Sequence, residues 1–122
     1  MTRTTFTAVT SLAHGVVQAA AASVDQPNGN QFLNPVGSYT VIEITNGANT
    51  NINVTFTPSG TYNVTPSITY SVANDVQVVA NGTSKVFGTF SQNLMNNSSG
   101  MVLVDYSSGT TVTARVLTVP AN

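Results

Sequence analysis

The chain has no cysteine and no tryptophan, and its charged side chains amount to three Lys or Arg and four Asp or Glu in 122 residues. Without cysteine there is no disulfide framework and no thiolate metal site, which suits a reducing compartment. Charged residues make up 6% of the chain, against about 25% in an average soluble domain. The basic residues are Arg3, Lys85 and Arg115, too few to neutralise a run of phosphates, so neither nucleic acid nor an anionic membrane surface is an expected partner. No stretch approaches the roughly 20 apolar residues that cross a bilayer as a helix. Ala8 to Ala22 has the outline of a signal peptide, but Thr10, Ser11, His14 and Gln18 interrupt it, and a cleaved leader is not expected.

Catalytic chemistry is equally sparse. General acid-base catalysis needs a positioned His, carboxylate, Lys, Tyr or Cys, and here one His and four carboxylates are scattered along the chain. His14 reads as a surface or interface residue. No serine sits in a G-x-S-x-G elbow or an S-x-x-K frame. The segment Asp25-Gln26-Pro27-Asn28-Gly29-Asn30 offers oxygen ligands, yet its single acid falls short of an ion-binding loop, and it reads as an Asx-type turn. Triplets such as Asn53-Val54-Thr55 and Asn81-Gly82-Thr83 fit the glycosylation pattern, as composition alone would produce. Neither an enzyme nor a cofactor or metal site is expected.

What the chain does have is a near-normal apolar share, 41%, with the missing charge replaced by Thr, Ser and Asn. Low hydrophobicity with high charge marks disorder, and this composition is the opposite. From Tyr39 onward apolar residues alternate with polar ones at period two, the mark of half-buried strands. In Asn51 to Thr57, Ile52, Val54 and Phe56 alternate with Asn53 and Thr55. Pairing this run with Tyr39 to Thr45 as a hairpin sets Ile44 opposite Ile52 and Ile42 opposite Val54. A second hairpin is read around Asn81-Gly82, with Gly82 left-handed and Val76 against Val86. A third joins Met101 to Tyr106 with Thr111 to Val119, placing Asp105 diagonal to Arg115. Phe56, Tyr62, Tyr70, Phe87, Phe90 and Tyr106 read as packing residues.

These runs predict an all-β fold, a single β-sandwich or jelly-roll domain of about seven to eight antiparallel strands over residues 32–122. Residues 1–31 read as an N-terminal arm and turn. Within the arm Phe6, Val9, Leu12 and Val16 recur at helical spacing and are the candidate contacts with other subunits. A net charge of -1 leaves little repulsion between copies, which favours association.

The order of several short motifs resembles that of small phage capsid decoration, or cement, proteins. They are Asp25 with Gly29-Asn30-Gln31-Phe32-Leu33-Asn34, Asn46-Gly47, Val54-Thr55-Phe56, Gly88-Thr89-Phe90, Ser99-Gly100 and Val104-Asp105-Tyr106-Ser107. The group often carries a basic residue after the glycine matching Gly37, where this chain has Ser38 and Tyr39. The resemblance implies a sandwich or jelly-roll body, commonly a homotrimer, seated on the outer capsid surface and binding the major capsid protein. It implies no catalytic residue. A tail- or fibre-associated module binding carbohydrate or another receptor is the alternative.

Overall fold

The computed structural model of the chain describes residues 2–10, 20–65, 68–71 and 73–120, the side chains of 61–65 and 68–71 excepted. Three two-residue strands come first, β1 (Thr4–Thr5), β2 (Val9–Thr10) and β3 (Ala22–Ser23). Longer strands follow: β4 (Asn30–Leu33), β5 (Ser38–Asn46), β6 (Ile52–Thr57), β7 (Thr61–Thr65), β8 (Ile68–Ser71), β9 (Asp75–Val79) and β10 (Thr83–Phe87). One helical turn, α1 (Gln92–Met95), precedes β11 (Met101–Tyr106) and β12 (Val112–Pro120).

The strands form an all-β sandwich. The first sheet has the order β1-β4-β11-β6-β9, and the second has β10-β5-β12-β2 with β3 also on β12. A separate ribbon pairs β7 with β8. The alternation read in the sequence is the alternation of burial. Ile52, Val54 and Phe56 of β6, with Phe32, Val102, Val104 and Tyr106, pack from the first sheet onto Ile42, Ile44, Phe87, Val112, Ala114 and Val116 of the second. Rings cross the interface, with Phe56 and Phe87 centroids 5.2 Å apart and Phe90 within 5.4 Å of Phe32 and 5.1 Å of Phe56.

The hairpin pairings do not form. β5 pairs with β10 and β12, whereas β6 pairs with β11 and β9, so Ile42, Ile44, Ile52 and Val54 meet across the sandwich and not along one ladder. β9 and β10 likewise belong to different sheets; Val76 and Val86 are 53% and 59% exposed. The turn between them exists, with Thr83 N donating to Ala80 O and Gly82 at φ 71°. β11 and β12 also separate, and Asp105 and Arg115 take other partners. From β4 to β6 and from β9 to β12 the chain changes sheet at every connection.

Nor do the described residues before β4 form a free arm. β1 runs parallel to β4, while β2 runs parallel and β3 antiparallel to β12, so the segment adds one short strand to the first sheet and two to the second. Between them Phe6, 8% exposed, enters the core and its N–H donates to Gln31 O at 2.9 Å. On the opposite side the edge strands β9 and β10 lie next to each other. Lys85, on the inward side of β10, donates to Val78 O at 3.4 Å and sits 5.5 Å from the Phe87 ring centre. An inward-facing charge at a sheet edge discourages pairing with another chain there.

Three buried asparagines tie loops to this frame through hydrogen bonds, which burial favours. Asn30 receives the Asp25 N–H and donates to Thr4 O. Asn34 donates to Phe90 O and to Asn96, which donates back to Asn34 O. Asn46 donates to Thr50 O and Val79 O and accepts from Ala48 N.

Candidate docking surface

Charge is consumed inside the molecule. Arg3 donates to Asp105 at 2.9 Å, and Arg115 lies 2.8 Å from Glu43. Asp25 closes an Asx-type turn, receiving the Asn28 N–H and the hydroxyl of Thr4; those hydrogen bonds, Thr4 first, hold its carboxyl below the usual 3.8. Asp75 accepts from Gln77. Among the described residues no three His, Cys, Asp or Glu side chains gather as metal ligands would. His14 lies outside the described residues. Among the described residues Tyr106 is the one strongly perturbed group: burial pushes its phenol well above 10, and the neighbouring Asp105 carboxylate adds to the shift. Its hydroxyl has no hydrogen-bond partner among the described residues. It is buried in the core between the sheets.

The surface offers apolar contact of two kinds. At one end of the sandwich Leu33, Val36, Tyr39 and Val119 are exposed by 49%, 86%, 55% and 39%. Pro35 O accepts from Ser38 N in a tight turn, which places Val36 at the tip; Tyr39 is paired with Val119 on the outer face of the second sheet, whereas Leu33 stands on the outer face of the first. Gly37 makes the turn possible at φ 80°, a left-handed conformation that a side chain disfavours. Gln92 donates to Pro35 O, and the buried Asn34 anchors the strand leading in, so the tip is fixed.

The second apolar surface is the outer face of the second sheet. Register places Val41 beside Leu117 and Leu117 beside Val9, while Val86 and Arg115 flank Glu43. Together they line a depression of about 160 Å³. The same strands bury Ile42, Ala114 and Val116 on their other side, so this part of the sheet is apolar on both faces. Toward the far end the outer face becomes Thr45, Thr113, Ser84 and Ser23.

The four candidate contacts therefore part company. Phe6 is a core residue, Val9 lines the outer depression, and Leu12 and Val16 lie outside the described residues. Reading the sequence passed over Val41, Val86, Leu117 and the Val36 tip. The signal was available in the doublets Val41-Ile42 and Val116-Leu117, where adjacent apolar residues must face opposite sides of a strand. Comparison with protein-family models, with curated proteins and with solved structures finds no match for this chain.

Proposed function

We propose that this protein is a non-catalytic structural component of a phage virion, a capsid decoration protein that binds the outer surface of the shell and stabilises contacts between major capsid protein subunits. The observation that carries the reading is the Val36 tip, 86% exposed on a turn held by Asn34 and Gln92, on a body whose described ion pairs close within the chain. Such a tip docks by burying apolar surface with little charge to desolvate. Many copies on a repeating shell multiply a weak contact.

The motifs behind the resemblance also converge in space. Those in β4, β11 and β6 lie on three neighbouring strands, and Phe90 of Gly88-Thr89-Phe90 packs on Phe32 and Phe56 of the β4 and β6 motifs. They make one structural unit, as a shared architecture would require.

The test is reconstitution on capsids lacking the protein. Wild-type chain is expected to bind and raise the temperature at which the shells rupture, and Val36→Asp to lose binding while folding normally. Equal binding by Val36→Asp removes the tip from the attachment, and failure of the wild type to bind ends the decoration reading.

A second reading, carbohydrate binding on a tail or fibre, is favoured by one feature. The exposed Tyr39 ring borders a depression of about 310 Å³ with Asn34, Ser38, Thr89, Ser91, Gln92 and Asn93, an aromatic surface among neutral polar groups. A glycan array showing no retained saccharide would discard it.

A further inference from the structure

We propose that Asn81, in the turn between β9 and β10, is a site of spontaneous deamidation, converting to aspartate and isoaspartate while the fold shields the chain's other two Asn-Gly pairs.

The chain contains Asn-Gly at 28–29, 46–47 and 81–82. The chemistry is the same at each. The glycine N loses its proton and attacks the asparagine Cγ; the Cγ–Nδ2 bond breaks, ammonia leaves with that proton, and a five-membered imide closes. Water then opens the imide at either carbonyl, giving aspartate or its isomer linked through the side chain. Glycine favours the step because no side chain obstructs its nitrogen and its backbone turns freely. Which pair reacts is decided by what holds the amide and what surrounds the glycine.

Two pairs are locked. Asn46 is buried, its amide nitrogen donates to Thr50 O and Val79 O, and its amide oxygen accepts from Ala48 N. Gly47 N donates to Thr111 O at 2.9 Å, and the glycine packs so closely on that carbonyl that a Cβ would lie 2.9 Å from it. The Asn28 amide nitrogen donates to both carboxylate oxygens of Asp25, at 3.3 and 3.2 Å. Gly29 is buried beneath Arg3 and Asp105, and its N–H donates to Asp25 O at 2.7 Å.

Asn81 differs on each count. It is exposed, its side chain has no hydrogen bond among the described residues, and nothing lies within 4 Å of a Cβ built on Gly82. What restrains it is the backbone: Asn81 N donates to Asn51 Oδ1 at 3.0 Å and Gly82 N to Asn46 O at 2.8 Å. Both bonds belong to a surface turn between two edge strands, a contact that opens locally without unfolding the sandwich.

The consequence reaches inward. The imide nitrogen carries no hydrogen, so the bond from Gly82 to Asn46 O is lost as the ring closes, and isoaspartate leaves one extra methylene in the main chain of the turn. Each product also adds a negative charge to a chain of net charge -1.

The experiment incubates the full chain in mildly alkaline buffer, folded and in urea, until the unfolded sample is converted. Cleavage before aspartate puts Asn81 in the peptide 75–104 and Asn28 and Asn46 in 25–74, and tandem mass spectrometry locates each amide lost. Aspartate at position 81 creates a new cleavage site and isoaspartate does not, which tells the two products apart. In the folded protein Asn81 is expected to convert at least about tenfold faster than Asn28 or Asn46, and in urea all three within about threefold of one another. Asn81→Gln, whose longer amide closes the ring poorly, should lose the product at that position. Equal rates at the three pairs in the folded protein, faster conversion of Asn28 or Asn46, or no conversion of folded Asn81 by the time the urea sample is complete overturns the proposal.

Discussion

Arg3 donates to the Asp105 carboxylate at 2.9 Å, and the same guanidinium donates to the carbonyls of Asn30 and Val104 at 3.2 and 3.1 Å. The third residue of the chain thereby joins β1 to β4 and β11. Gly29 lies under it at φ 78°, a conformation a side chain disfavours, and a Cβ there would push aside the ends of Arg3 and Asp105.

The N-terminal strand is consequently part of the folding unit. Phe6→Ala should lower unfolding free energy by about 3 kcal/mol, as for a large core side chain removed. Arg3→Met, which keeps the stem but loses a partly exposed ion pair and two backbone contacts, should cost about 1 kcal/mol. Urea denaturation followed by tyrosine fluorescence reads both. A Phe6→Ala variant as stable as wild type would mean that the segment is a detachable arm.

Tyr106 buries a hydroxyl without a partner among the described residues. Replacing it by Phe removes an unsatisfied group and keeps the ring, so Tyr106→Phe should be neutral or stabilising by up to about 1 kcal/mol. The pH dependence has a definite sign. The folded phenol titrates above its unfolded value of 10, so its contribution is intact below pH 10 and is lost as pH rises beyond it. Alkaline melts should show wild type falling faster than Tyr106→Phe; parallel curves would contradict the burial of the hydroxyl.

Asn46 holds the Thr50 carbonyl, the Val79 carbonyl and the Ala48 N–H at 2.8, 3.0 and 3.0 Å. It joins the ends of β5 and β9, which belong to different sheets. Asn46→Ala should cost about 2–3 kcal/mol by leaving buried backbone groups unpaired, and amide exchange at Val79 and Ala80 should quicken. Unchanged exchange would show that water replaces the side chain without cost.

Thr111 adopts φ 54°, a left-handed conformation costly for a β-branched residue. Its carbonyl accepts from Gly47 N at 2.9 Å, which holds it there. Thr111→Gly removes the strain and keeps that hydrogen bond, so it should stabilise the fold by about 1 kcal/mol net of glycine's greater unfolded entropy. A lower melting temperature would show the threonine to be favoured at that position.

The sequence by itself determined the class of structure and which side chains are inside. Period two in Ile52-Asn53-Val54-Thr55-Phe56 names the buried face of a strand whatever its neighbours are, because alternation is local backbone geometry. Ile42, Ile44, Val102, Val104, Tyr106, Val112, Ala114 and Val116 were legible in the same way, and all are buried. Gly82 as a left-handed turn residue was also local.

Only the tertiary structure decided which strands pair. A hairpin and an arch between two sheets bring the same apolar residues together, one along a ladder and the other across a core, so alternation does not distinguish them. The outcome depends on non-local partners: β5 meets β12 over nine residue pairs, from Ser38 with Pro120 to Asn46 with Val112. The outer apolar surfaces arise from the same source. Val41, Leu117 and Val9 come from three distant segments, and become one apolar face only when β2, β5 and β12 lie side by side.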